Sequence, residues 1–210
     1  MDYLTKEEVE KMIKEGKSLK DMDFSFAELN GIDFSGQDLS GAVFTGAELR
    51  GANFEGANLE DAFIADADFS VANLKNANLS RAVFQRVNLR NANLENANMR
   101  KTQLLVCDAT GANFENAVIT EARLEKSKIA NANLKNTDLR YSNLRSVDFR
   151  RSNFTGAKIS NSDLRKADLR DTWFENVEAE NVIYYGKAPW LEGSKAELDV
   201  EKLKAPNWDD

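Results

Sequence analysis

The chain has 210 residues, a net charge of −7, no histidine and a single cysteine. Without histidine it lacks the commonest metal ligand and general base, and one cysteine cannot close a disulfide within the chain. No apolar run is long enough for a membrane span and no signal peptide opens the sequence, so a reducing cytoplasm is the expected compartment.

The first residues read as a helix. Thr5-Lys6-Glu7-Glu8 has the capping-box form, a threonine followed three places later by a glutamate. Val9, Met12 and Ile13 then fall at helical spacing, and Gly16 is a suitable stop. A helix over residues 5–15 is expected, within an N-terminal cap of residues 1–18.

From Phe24 onwards a large apolar residue returns at every fifth position: Leu29, Phe34, Leu39, Phe44, Leu49, Phe54, Leu59, Ile64, and so on to Phe174. Only Ala109 in this series lacks a large side chain. Two places before each centre sits a small residue, usually alanine, as at Ala42, Ala47, Ala52 and Ala57, and the position between is usually Asn or Asp. On a helix, five steps of about 100° leave no stripe, and on a strand an odd period alternates faces. The pattern buries itself only if each unit turns the chain by a fixed angle about a common axis, which describes a solenoid. The centre and the small residue face inward; the other three positions face solvent.

Sorting the units by every fourth sets Asn53, Asn73, Asn93, Asn113, Asn133 and Asn153 in one unbroken column. Two places after the corresponding centres come Gly36, Gly56, Asn76, Asn96, Asn116, Asn136, Gly156 and Asn176, residue types that tolerate positive φ at a corner. Sorting by threes breaks the column at once. Each coil therefore takes 20 residues around four sides, and at about 4.8 Å per coil residues 19–184 make about eight coils.

The units Ala72-Asn73-Leu74, Ala92-Asn93-Leu94 and Ala112-Asn113-Phe114 strongly resemble the pentapeptide-repeat family over about three quarters of the chain. That resemblance implies an all-β solenoid, a right-handed quadrilateral β-helix. It implies much less about function, because repeat folds are scaffolds whose surfaces differ.

After Phe174 the register decays. Gly186 and Pro189 interrupt the chain, Trp190 and Leu191 follow, and Ser194-Lys195-Ala196-Glu197 repeats the capping-box form ahead of Leu198 and Leu203. Residues 185–210 are expected to form a tail with a second short helix at about 195–204. It serves either as an end cap or as a homodimer contact, since relatives often associate through C-terminal ends and Trp190 and Trp208 are good anchors.

Three surface features offer function. Residues 21–80 carry a net charge of −9 and residues 81–175 a net of +6, so the rod has an acidic and a basic end. Arg140, Arg145, Arg150, Arg151, Arg165, Lys166 and Arg170 form a candidate basic patch, with Asp148, Asp163 and Asp168 placed to neutralise it. Glu55, Lys75, Glu95, Glu115 and Lys135 line one side as an alternating charge ladder, read as a solvated face. The third feature departs from the Asn/Asp rule. Val43, Phe63 and Val83 precede the centre in successive coils of one side, Leu105 and Val106 continue it, and Val71 is placed just around the corner. An exposed apolar strip of this kind marks a partner site.

Nothing in the sequence composes an active site or a cofactor or metal site. No glycine-rich phosphate loop occurs, and Cys107 occupies an inward small-residue position as core filler. Direct nucleic-acid binding is not expected either, because few aromatics interleave the basic residues and the acidic half repels a phosphate backbone. The expected function is a non-enzymatic protein-binding or scaffold module presenting the sides of a rigid rod. The alternative is a DNA-mimicking modulator of a type II topoisomerase, of the gyrase-protecting or gyrase-inhibiting kind.

Overall fold

A computed structural model describes residues 3–185 and Pro189. The helix α1 spans Lys6–Lys14, with Thr5 as N-cap. The Glu8 amide donates to Thr5 Oγ1 at 3.2 Å and the Thr5 amide donates to Glu8 Oε2 at 2.9 Å, so both halves of the capping box are made. At the other end the Gly16 amide donates to the Ile13 carbonyl and the Lys17 amide to the Met12 carbonyl, each at 3.0 Å. This is a Schellman stop, and it needs the left-handed backbone that Gly16 adopts at φ 65°. Val9 is fully buried against the first coil, with Leu4, Met12 and Ile13 partly buried beside it. The helix thus covers core that the first coil would otherwise leave bare.

Beyond α1 the chain winds as a right-handed quadrilateral β-helix. Parallel bridges join residues 20 apart, from Asp23↔Val43 to Asp163↔Ile183. The centres and the residues two before them fill the axis with almost no exposure. Phenylalanines dominate the N-terminal half of this core; Phe24 stacks on Phe44 at a centroid separation of 5.0 Å and Phe34 on Phe54 at 5.2 Å. In the C-terminal half several inward alanines give way to Ser or Thr. Each such hydroxyl finds a carbonyl one coil back: Thr102 Oγ1 donates to Leu79 O at 2.8 Å and Ser127 Oγ to Leu104 O at 2.8 Å. A buried polar group costs little when so satisfied. Cys107 belongs to this inward column. It is 2 % exposed, and burial pushes its thiol up to about 11, so it stays protonated at neutral pH.

The Asn/Asp position has two tasks. Its side-chain oxygen accepts the amide two residues on, as Glu95 N donates to Asn93 Oδ1 at 3.2 Å, which bends the chain towards the corner. Its amide nitrogen donates to the equivalent residue one coil back. One ladder runs Asn133 to Asn113, Asn93, Asn73, Asn53 and finally Asp33. Another runs Asn98 to Asn78, Asn58 and Asp38. The corner residues take positive φ whether or not they are glycine.

Candidate functional site

One of the four sides lacks these ladders over its central coils. At residues 63, 83 and 103 Phe, Val and Gln replace Asn, so no side-chain bend forms and the chain stays extended. Three short strands result: β1 (Phe63–Ala65), β2 (Val83–Gln85) and β3 (Gln103–Leu105), paired in parallel in that order. Val43 bridges Phe63, and Phe63 pairs in register with Val83. These three therefore form one continuous outward column, with Phe63 39 % exposed. Gln103 ends it. Leu105 lies in the neighbouring column, in register with Gln85, and Val106 sits at the edge, 57 % exposed at φ 60°. A β-branched residue with a left-handed backbone is a strained choice where glycine or asparagine would serve. Val71 does not join the strip. Its place in the 20-residue coil, past the Phe69 centre, is the far edge of the next side, a whole face away. Leu105 and Val106 line a shallow cavity of about 500 Å³ shared with Lys126, Arg145 and Lys166.

The basic residues do not gather into one patch. By the same coil positions Arg140 lies on one side, Arg145 and Arg165 on a second, Arg150 and Arg170 on a third, with Arg151 and Lys166 at two different edges. Most are also neutralised where they stand. Residues immediately before and after a centre both point outward, so an Asp-x-Arg unit clamps itself. Arg150 Nε donates to Asp148 Oδ1 at 2.8 Å and its Nη2 to Oδ2 at 2.6 Å. The pairs Arg140–Asp138, Arg165–Asp163 and Arg170–Asp168 repeat this fork. Arg145 approaches Asp163 at 4.0 Å and Arg151 approaches Asp171 at 3.8 Å. The sequence signal for this was available as Asp-Leu-Arg and Asp-Phe-Arg, read within a unit rather than between coils. In the charge ladder of Glu55 to Lys135, Lys75 and Glu95 pair at 3.1 Å. The expected C-terminal helix with Trp190, Leu191, Leu198, Leu203 and Trp208 lies outside the described residues.

These forks set a pH response. The Arg150 guanidinium holds the Asp148 carboxyl below the usual carboxylate range, and Arg170 does the same for Asp168. A lowered folded pKa contributes stability that is complete above the unfolded value of about 3.9 and is lost as pH falls through the lowered one. The melting temperature should therefore hold between about pH 8 and pH 5 and fall below about pH 4. Asp148→Asn should make that fall shallower in thermal melts followed by circular dichroism; an unchanged slope would mean the forks contribute nothing.

A shaft of five-residue units with inward Ala and Leu or Phe, outward Asn/Asp ladders and a single apolar face defines a repeat scaffold. The profile described as Pentapeptide repeats matches 8 copies over residues 23–64 and 132–171, and that for a Pentapeptide repeat region matches residues 57–134. The chain belongs to the pentapeptide-repeat family. It is similar in structure to HetL of the cyanobacterium Nostoc sp. strain PCC 7120, a pentapeptide repeat protein involved in heterocyst differentiation regulation, with a TM-score of 0.53 and 21% identity over 87% of this chain and 90% of that one. It is also similar to full-length QnrB1, a plasmid-mediated fluoroquinolone resistance protein, with a TM-score of 0.54 and 20% identity over 79% of this chain and 85% of that one. At these identities the likeness is one of fold. Comparison with curated protein sequences gives no match.

Proposed function

We propose that this chain is a non-enzymatic protein-binding rod whose docking surface is the face carrying Val43, Phe63, Val83, Leu105 and Val106. One observation carries the reading: an outward apolar column with Phe63 39 % exposed, on a shaft whose equivalent positions elsewhere are largely occupied by ladder-forming Asn and Asp. A single exposed apolar side chain needs no explanation, whereas a contiguous column flanked by charge is typical of a binding surface.

The reading as a DNA-mimicking modulator of a type II topoisomerase has less support, because many acidic groups of the N-terminal coils are already engaged. Asp33 and Asp38 end the Asn ladders, and Asp61 and Asp66 are held by Arg81 and Arg86. A supercoiling assay separates the two: gyrase activity, with and without a quinolone, should be unaffected by the protein. The direct test compares immobilised wild type with a Phe63→Asp, Val83→Asp variant incubated with native lysate. Both should melt at similar temperatures, since neither side chain is part of the axial core. The wild type should retain a specific protein, its own chain included, that the variant does not. If retention is equal, or if the variant fails to fold, the face is not a docking site.

A further inference from the structure

We propose that the occupant of this face is a second copy of the chain, docked antiparallel about a twofold axis that crosses the face at Phe63. The proposal rests on the reading of the face as a docking surface. Its argument is that the face is palindromic in shape and reverses sign in charge about that residue.

Coil by coil, the column before the centres reads Asp23, Val43, Phe63, Val83, Gln103. The edge column on one flank reads Phe26, Gly46, Asp66, Arg86, Val106, and on the other Asp21, Gly41, Asp61, Arg81, Lys101. A twofold axis lying in the face, across the rod, reverses the order of coils and leaves each column facing itself. Centred on Phe63, it sets that ring on the partner's Phe63 and Val43 on the partner's Val83. It also brings Phe26 onto the partner's Val106. These two are 54 % and 57 % exposed, both with φ of 60°, so each is an apolar side chain at an edge that strains its backbone and buries little of it within one chain.

The flanks fit in size and charge as well. Arg81 and Arg86 come opposite glycines, Gly41 and Gly46, the smallest residues of those edges. Asp21 reaches across Gly41, within 2.1 Å of where a Cβ there would lie, and the Phe26 ring covers Gly46 at 2.7 Å from the equivalent point. The partner's Arg81 thus arrives at a carboxylate and the partner's Arg86 at an aromatic face, where a guanidinium is attracted to the ring. Farther out, Asp21, which makes no ion pair among the described residues, meets the partner's Lys101. Within its own chain Lys101 pairs only with Glu121, at 3.4 Å, an acid that Arg100 already holds at 2.6 Å. Asp61 approaches its own copy, but Arg81 neutralises it at 2.8 Å. A parallel arrangement would instead put like charges together at both ends of the contact. The contact covers five coils, roughly 20–25 Å of rod, at the small end of specific interfaces, so a micromolar dissociation constant is expected.

Sedimentation equilibrium from about 5 μM to about 1 mM, bracketing that range, reads the proposal directly. Wild type should pass from monomer to dimer and Phe63→Asp should remain monomeric. Asp21→Lys and Lys101→Asp should each weaken the dimer roughly tenfold, as two rim pairs are lost by symmetry. An equimolar mixture of these two variants should recover wild-type affinity, because only the antiparallel heterodimer restores both Lys–Asp contacts. Val106→Asn guards against a folding artefact: relief of the left-handed valine should raise the melting temperature while weakening the dimer. A wild type that stays monomeric, a dimer that survives Phe63→Asp, or a mixture without recovery would overturn the proposal. If wild type is monomeric yet Phe63→Asp still abolishes retention of another protein, the second-copy proposal falls and the docking face remains. If neither effect is seen, both fall.

Discussion

Phe54→Ala is expected to lower the unfolding free energy by about 3–5 kcal/mol and to split a single unfolding transition into two. Phe54 is fully buried. Its ring stacks on Phe34 at 5.2 Å and on Phe69 at 5.3 Å, and meets Phe44 edge-on at 6.1 Å. Removing it empties a site where several rings converge, and the rigid coil cannot collapse into the gap because its backbone is bonded to the coils on either side. In a solenoid each coil is stabilised mainly by its neighbours, so a defect at one coil weakens the coupling between the segments it joins. The coils preceding Phe54 should unfold first. Urea titration followed by circular dichroism, with hydrogen exchange to place the early transition, checks this. One cooperative transition shifted by less than about 1 kcal/mol would mean the axis is more plastic than its packing implies.

Ala97→Asp is expected to cost several kcal/mol, about 4 or more, whereas Ala97→Ser should cost less than about 1 kcal/mol. Ala97 is fully buried in the inward small-residue column. Elsewhere in that column Thr102, Ser127 and Thr137 each donate a hydroxyl to the carbonyl 23 residues earlier. A serine at 97 has the same route to the Leu74 carbonyl. An aspartate cannot donate when ionised, and it faces carbonyl oxygens that offer it no proton. It must stay protonated or break the coil, so its destabilisation should grow as pH rises above the carboxyl range. Denaturation of both variants at neutral pH and at about pH 5 distinguishes this from a steric effect, which would not depend on pH.

The fold was legible because the side-chain pattern and the coil share one period. Phe34, Phe54 and Leu74 could be assigned to one face by counting, and the Asn53-to-Asn133 column fixed the number of sides. The α1 cap was legible through Thr5, Glu8 and Gly16, whose roles are local. The apolar column of Val43, Phe63 and Val83 was legible as a departure from Asn. Its extended backbone was not, because it follows from the absence of the Asn side-chain bend. Counting also misled in two ways. Val71 was placed beside the strip although a full side intervenes, and the arginines were stacked between coils when their nearest carboxylates lie two residues away in the same unit. Phe26 was overlooked because an edge position was read only for residues that permit positive φ, not for those that pay for it with strain.

The Asn ladders have a direction. Each amide nitrogen donates towards the N-terminal end and each oxygen receives from the C-terminal side, so the last residue on the N-terminal side is asked only to accept. A carboxylate suits that position better than an amide, whose own N–H would be left without a partner. Aspartate is found there in each case: Asp33 beneath Asn53, Asp38 beneath Asn58 and Asp68 beneath Asn88. Part of the acidic character of the first coils is therefore punctuation, marking where each ladder begins rather than what the rod binds. It also constrains how such a rod can lengthen. A duplicated coil inserted above Asp33 continues the ladder unchanged, whereas one added below it needs that aspartate rewritten as asparagine and a new aspartate beneath.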